Sequence, residues 1–245
     1  MTGNAHWRSC GRIVRLSHAS MNALEPERPP TRRLFIAVPL PDEVRARVAR
    51  LVEGVEQTEG GERREDVTAS DGRRRARPGV RWVRMDGLHV TLRFLGATPE
   101  ERLAPLQRTV EAVARRVNPF DVVLDGAGGF PSAARPRALW LGITVGTEQM
   151  RDLARELNEA LAIEGWPAEE RPFKSHLTLG RTDGVRSGPA AARRLIQSAE
   201  GFAAAWQADR IVLFESHTGG GPARYEPLVE ARFGGRVEAA AQSSG

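Results

Sequence analysis

The sequence is poor in cysteine, in lysine and in long apolar runs. The first and the last shortage exclude classes of protein, and the shortage of lysine limits what the net charge can indicate. A single cysteine among 245 residues excludes a disulfide scaffold and a structural zinc site built on cysteine thiolates. The longest apolar run, around Leu34 to Leu40, is too short to span a bilayer, and no apolar segment typical of a signal peptide is present. We therefore expect a cytoplasmic protein without a membrane segment.

The chain is basic, but its charge is unevenly distributed. The formal net charge is +5 and the pI is about 10.6. Residues 1–33 carry six arginines and two glutamates, a net +4, which leaves +1 for the remaining 212 residues. Lys174 is the only lysine among 36 basic residues, a bias that indicates GC-rich coding rather than selection for a binding surface. Net charge alone therefore does not identify a nucleic-acid-binding protein.

Composition divides the chain into one domain with flexible ends. We expect residues 1–33 to form a disordered extension, with a transit peptide or an early start site before Met21 as alternatives. Residues 34–235 are expected to form a single domain, followed by a flexible tail over 236–245. Residues 56–79 carry six acids and six arginines with little apolar content, which predicts a flexible loop. Apolar periodicity predicts strands at 34–40, 80–83, 88–95, 120–126, 138–145, 175–181, 210–216 and 224–233, and helices at 41–55, 99–117, 148–164 and 189–198.

One short pattern occurs twice within the predicted strands. It is His-Val-Thr-Leu from His89 and His-Leu-Thr-Leu from His176, 87 residues further along the chain. Side chains alternate along a strand, so each histidine shares a face with the threonine two residues later. A single pair of this kind is commonplace because threonine is a frequent strand residue. Two copies among only five histidines indicate a paired site.

The pairs supply the groups that displacement at phosphorus needs. Histidine titrates near neutral pH, so one imidazole can act as a base while the other acts as an acid. The hydroxyls of Thr91 and Thr178 can donate hydrogen bonds to phosphate oxygens. Acidic residues are not clustered near either pair, so we expect no metal and no other cofactor.

At these residues the sequence resembles the 2H phosphoesterases, and among them the bacterial and archaeal RNA 2',3'-cyclic phosphodiesterases, historically called 2'-5' RNA ligases. The resemblance extends from about residue 33 to 233 through the segments RLFIAVPLP, LHVTLRFLG, GGFPSAARPRALWLG, RPFKSHLTLGR and GPARYEPL. The sequence departs from the family in its N-terminal extension, in its longer 56–79 loop and in Ser175, where many members have proline.

The resemblance implies a fold and a reaction. The implied fold is α+β and bilobal, with two antiparallel sheets related by a pseudo-two-fold axis and the active cleft between the lobes. His89 is the implied proton donor to the leaving 3' oxygen, and His176 the implied acceptor that activates water, which gives a 2'-phosphate. We expect a monomer that acts on RNA ends or nucleotides with a 2',3'-cyclic phosphate, with weak reverse 2'-5' ligation. The alternatives are a 2H phosphodiesterase for another 2'-5'-linked or small cyclic nucleotide, and a non-catalytic module that binds RNA ends.

Four further residues are candidates for contact with substrate: Arg93, Phe130, Arg137 and Tyr225. Strand alternation predicts that Arg93 shares the face of His89 and could contact a phosphate. Phe130 and Tyr225 could stack on a base, and Arg137 precedes a predicted strand within a family-like segment. The same alternation predicts that Arg181 faces the core side or the strand end, and we assign His217 to a surface turn.

Overall fold

The computed structural model describes residues 30–62, 79–219 and 222–234. For residues 58–62 it describes the backbone only. Within these residues the chain forms nine strands and four α-helices. In chain order they are β1 Thr31–Pro39, α1 Asp42–Glu62, β2 Arg81–Trp82, β3 His89–Pro99, α2 Leu103–Ala114, β4 Phe120–Phe130, β5 Ala138–Val145, α3 Thr147–Ile163, β6 His176–Arg181, α4 Gly188–Ser198, β7 Ala203–Ala208, β8 Arg210–His217 and β9 Arg224–Arg232. None of the helices described there is long and apolar enough to cross a membrane.

The strands form two antiparallel sheets, which confirms the predicted α+β class. The first sheet has the order β3-β1-β8-β9 and the second the order β2-β6-β5-β4-β7. Each histidine opens a strand, β3 in the first sheet and β6 in the second, and these two strands contact each other where the lobes meet. The topology therefore brings two sequence-distant His-Thr pairs to one junction.

The helices cover the sheets by burying one apolar stripe each. In α1 the stripe is Val44, Val48, Val52 and Val55, and Asp42 with Glu43 opens the helix where its dipole favours negative charge. Helices α1 and α4 contact each other, as do α2 and α3. Both sheets and all four helices contribute buried side chains to one continuous apolar cluster.

Several predicted boundaries are wrong. Strand β3 runs to Pro99 and β4 to Phe130, past the predicted ends at 95 and 126, and helix α2 begins at Leu103 rather than at 99. Strand β1 begins at Thr31 rather than Leu34, because Thr31, Arg32 and Arg33 continue the ladder with the end of β3 despite their polarity. Helix α1 continues to Glu62, whereas a loop was predicted from residue 56. Its last turn lacks apolar residues, so the sequence carries no periodic signal for it. The predicted loop over 63–78, most of the extension and the tail lie outside the described residues.

One strand was missed. Strand β7 has the sequence AAAWQA, and its burial alternates strictly along the edge of the second sheet beside β4. Alanine is a weak strand former, so the sequence gives little indication of a strand there.

Candidate active site

A cavity of about 440 Å³ opens beside the junction of β3 and β6. This volume is within the range of small-molecule binding sites. Its lining combines both predicted threonines with one predicted histidine, two arginines and three aromatic rings. The lining includes Arg33, Phe35, His89, Thr91, Phe94, Thr178, Arg181, Ser216 and Tyr225.

The two histidines are held in the same way. The Nδ1 atom of His89 lies 2.7 Å from the carbonyl oxygen of Gly87, and the Nδ1 atom of His176 lies 2.7 Å from that of Lys174. A carbonyl oxygen only accepts, so each Nδ1 carries the proton and donates it. In each neutral ring the Nε2 atom is consequently the unprotonated one. Two equivalent i−2 hydrogen bonds thus fix the tautomer and the orientation of both imidazoles.

An aromatic ring stands perpendicular to each imidazole. Tyr225 meets His89 at a centroid distance of 5.0 Å and an angle of 89°, and Phe130 meets His176 at 4.9 Å and 87°. His89 also lies over the Phe35 ring at 4.6 Å, in a cluster that includes Phe214. Among the residues that the structure describes, His89 is therefore enclosed by aromatic rings on more sides than His176 is.

This enclosure lowers the pKa of both histidines. Burial lowers the pKa of His89 from 6.5 to about 4, against the opposing effect of its bond to Gly87. Burial also lowers the pKa of His176, and the ammonium group of Lys174 acts in the same direction, while the bond to the Lys174 carbonyl opposes it. Both rings are neutral near pH 7 before any anion binds.

The threonines share the face of their histidines, as predicted. Thr91 and Thr178 both line the cavity, and each lies two residues after its histidine on the same strand. His89 lines the cavity as well, whereas His176 borders the ring of Phe130 next to Thr178 on β6. The structure therefore brings His89, Thr91 and Thr178 to one cavity from opposite lobes, and His176 lies two residues before Thr178 on β6, outside the cavity lining.

The prediction for Arg93 is wrong. A register shift between Ile36 and Ala37 leaves Leu92 as an extra residue in β3, so the alternation changes there and Arg93 pairs with the buried Ile36. Arg93 is buried, donates to the carbonyl oxygen of Pro167 and lies 3.3 Å from a carboxylate oxygen of Glu169. It ties β3 to the segment before His176 and does not line the cavity.

Phe94 occupies the place predicted for Arg93. After the bulge Phe94 pairs with Phe35 on the cavity face, and 62% of its surface is exposed. The same event recurs in β6, where a register shift between Leu139 and Trp140 moves Arg181 onto the cavity wall. Of the two positions expected for Arg181, the core side is therefore wrong and the strand end is right, because Arg181 is the exposed last residue of β6. Phe94 and Arg181 each lie five residues after a histidine, and this shared spacing was the one sequence signal for them.

The remaining predicted residues lie in different places, two of them at the site and one outside it. Tyr225 lines the cavity, and Phe130 contacts His176. Arg137 is not among the lining residues: its side chain passes close to Gly184, in the turn after β6, and its backbone bonds to Phe130 and Thr182.

A second group of titratable side chains lies at the end of β8 and the start of β9, where the connecting loop joins the two strands. The ligand atoms of Glu215, His217 and Glu226 lie within 4.8 Å of one another, a spacing compatible with a metal ion. Ser216 and Tyr225 line the cavity, so alternation directs these three side chains to the opposite face of the sheet. Glu215 is already bonded to Arg32 at 2.9 Å. This group is separate from the two histidine pairs.

Comparison with known proteins points to one family. A model of the 2'-5' RNA ligase superfamily matches residues 40–220. The RNA 2',3'-cyclic phosphodiesterase of Thermus thermophilus is 38% identical over 159 residues, which cover 61% of this chain and 68% of that protein. A protein of the same name from Geobacillus stearothermophilus is 33% identical over 147 residues, 60% of this chain. The match spans only 41% of the Geobacillus protein's length.

A solved structure shows the same likeness. The crystal structure of E. coli LigT complexed with 3'-AMP has 26% sequence identity to this chain and a TM-score of 0.58. The match covers 83% of this chain and 98% of that one. The two lobes and the cleft between them are therefore included in the likeness.

Proposed function

The chain belongs to the 2'-5' RNA ligase superfamily, and from this premise we propose that it hydrolyses 2',3'-cyclic phosphate ends of RNA to 2'-phosphates. One observation carries the proposal: two imidazoles from opposite lobes are held through Nδ1 by equivalent hydrogen bonds, each with a threonine hydroxyl on its face. The names of the relatives and the nucleotide complex of LigT support the substrate class.

The proposed reaction uses one histidine on each side of the phosphorus. Nε2 of His176 takes a proton from water, and the water oxygen forms a bond to phosphorus. The bond from phosphorus to O3' breaks, and protonated Nε2 of His89 gives its proton to O3'. The product is a 2'-phosphate, and exchange with solvent restores both rings. The assignment of the two roles follows the family resemblance, since the two sites are geometrically alike.

The threonines and the charge of the phosphate complete the mechanism. The hydroxyls of Thr91 and Thr178 can donate to the non-bridging oxygens, where negative charge is held in the transition state. A bound phosphate anion favours the protonated form of a neighbouring imidazole. His89 is neutral before substrate binds. The bound phosphate therefore favours its protonation, and the protonated ring can act as the acid. If the 5' hydroxyl of another RNA end takes the place of water, its oxygen bonds to phosphorus as the bond to O3' breaks, so the same groups allow weak 2'-5' ligation.

The cavity wall suggests how the terminal nucleotide binds. The exposed ring of Phe94 and the guanidinium of Arg181 offer two planar groups on which a base can stack. We propose that the reaction needs no metal, since acid, base and anion donors are all present without one. We also propose that a single chain acts alone, because both pairs come from one chain. The cytoplasm is the location we propose for it.

The histidine variants test the proposal. His89→Ala and His176→Ala should each lower the turnover of an oligonucleotide 2',3'-cyclic phosphate by about 10²- to 10⁴-fold, the usual contribution of a general acid or base. His217→Ala is the matched control, because His217 is exposed and bonded to Glu226 away from the cavity. Turnover close to wild type in both His89→Ala and His176→Ala would contradict the proposal.

A further inference from the structure

Arg33 stands at the cavity although it precedes the predicted start of the domain. It pairs with Ala97 at the end of β3 and lies two residues before Phe35 on β1. Alternation therefore gives Arg33 and Phe35 the same face, and both line the cavity. Two residues of strand separate them by about 7 Å, so Arg33 lies farther from the histidine pairs than the Phe35 ring does.

The two adjacent arginines of β1 have different partners. Arg32 faces away from the cavity and pairs with Glu215 at 2.9 Å and with Glu100 at 3.0 Å. Arg33 is exposed, and across residues 30–62, 79–219 and 222–234 no carboxylate lies within ion-pair distance of it. A guanidinium on a cavity wall with its donors unused by acidic side chains can bind an anion in two-pronged geometry.

A second arginine adds positive charge to the same wall. Arg181 also lines the cavity, and it too has no acidic partner in the part of the chain that the structure describes. Burial raises the pKa of the Tyr225 phenol, while the charges of Arg181 and Arg33 oppose that rise. Both guanidinium groups therefore act on the same corner of the cavity, where Tyr225 contacts His89.

An RNA end presents a second anion beyond its cyclic phosphate. The cyclic phosphate occupies the histidine and threonine pairs in the proposed function, on which this inference rests. The chain continues only from O5' of the terminal nucleotide, which carries the next phosphate. We propose that Arg33 binds this O5' phosphate, so that the enzyme selects ends of RNA chains over a lone nucleoside 2',3'-cyclic phosphate.

The test compares substrates that differ only at O5'. Adenosine 2',3'-cyclic phosphate has no O5' phosphate, its 5'-phosphorylated form has a terminal one, and the dinucleotide ApA 2',3'-cyclic phosphate has an internal diester. For wild-type protein we expect kcat/KM to be about tenfold higher for the dinucleotide than for adenosine 2',3'-cyclic phosphate. A tenfold difference is at the low end of what a hydrogen bond to a charged group contributes. The advantage should shrink with added salt. It should vanish for a dinucleotide with a neutral methylphosphonate linkage.

Arg33→Gln should bring the dinucleotide-to-nucleoside ratio of kcat/KM close to one. Arg33→Lys keeps a positive charge and should retain part of the advantage. Arg108→Gln is the matched control, because it removes the same charge from an exposed position on α2, outside the cavity lining, and should keep the wild-type ratio. Using a ratio separates substrate choice from a general loss of folded protein.

Three results would overturn the proposal. One is an Arg33→Gln protein that keeps the wild-type ratio, including the case in which both substrates lose the same factor. Another is a wild-type ratio near one. The third is an advantage confined to the 5'-phosphorylated nucleoside, which would assign Arg33 to mononucleotides instead of RNA chains. Failure of the proposed function looks different, because wild-type protein would then hydrolyse none of the substrates.

Discussion

At the residue scale, the chemistry depends on how each imidazole is held. The His-x-Thr pattern was sufficient to predict that each histidine and its threonine share a face, because alternation over two residues needs no partner strand. The pattern carried no information on tautomer or pKa. Those depend on the carbonyl groups of Gly87 and Lys174 and on rings that come from distant strands, such as Tyr225.

The lowered pKa values predict an acid-shifted pH profile. The base must be neutral, so kcat/KM falls as pH drops below its pKa, and the acid must be protonated, so kcat/KM also falls as pH rises above its pKa. Burial lowers the pKa of both histidines below 6.5 in the free protein. We therefore expect kcat/KM to be highest below pH 6.5 and to decline between pH 6.5 and 8. The two apparent pKa values of this profile describe the coupled pair of histidines and are not assigned to one ring or the other.

The profile of kcat should lie at higher pH than that of kcat/KM, because the bound phosphate anion favours both imidazolium forms. Initial rates at limiting and saturating nucleoside 2',3'-cyclic phosphate, from pH 4.5 to 8.5, measure both profiles. A kcat/KM that keeps rising up to pH 8 would show that two buried neutral histidines are not the titrating groups.

At the element scale, two β-bulges decide which side chains form the cavity wall. The extra residue at Leu92 moves Arg93 into the interior and Phe94 onto the wall, and the corresponding shift in β6 moves Arg181 there. Such a shift arises from pairing with β1 or β5, so a single strand sequence does not reveal it. Periodicity nevertheless predicted eight of the nine strands and all four helices of the described residues, since each has apolar side chains at the right spacing. The alanine-rich strand β7 lacks that signal.

Arg93 should stabilise the connection between β3 and the segment that leads to His176. Arg93→Gln removes the bonds to Glu169 and to the Pro167 carbonyl, and we expect a loss of about 1–3 kcal/mol in the free energy of unfolding. Arg155→Gln is the control, because its pairs with Glu159 and Asp152 are exposed to solvent and should contribute much less to stability. Urea titrations of both variants measure the difference. Equal, small effects would contradict a structural role for Arg93.

At the scale of the whole molecule, the two lobes share one apolar core. The cluster of buried side chains runs through both sheets without interruption, from Ile36 in the first to Leu141 in the second. The length and composition of the sequence predicted a single domain over residues 34–235. It did not predict which strands meet at the junction, because that depends on topology.

A shared core predicts that the lobes unfold together. Three of the four described tryptophans, Trp82, Trp140 and Trp206, lie in the second sheet, so fluorescence mainly follows that lobe. Trp166 instead packs against Arg102, next to helix α2. Far-UV circular dichroism follows both lobes. We expect the two signals to change with the same urea midpoint. Separate midpoints would show that the lobes are independent units.

The most direct test of the account identifies the product formed without metal. Nucleoside 2',3'-cyclic phosphate is incubated with protein that has been treated with EDTA, and phosphorus NMR distinguishes the 2'- from the 3'-monophosphate. Metal-free acid–base catalysis by His89 and His176, with O3' as the leaving group, predicts undiminished turnover to the 2'-monophosphate alone. Loss of turnover on chelation, or a 3'-monophosphate product, would contradict it.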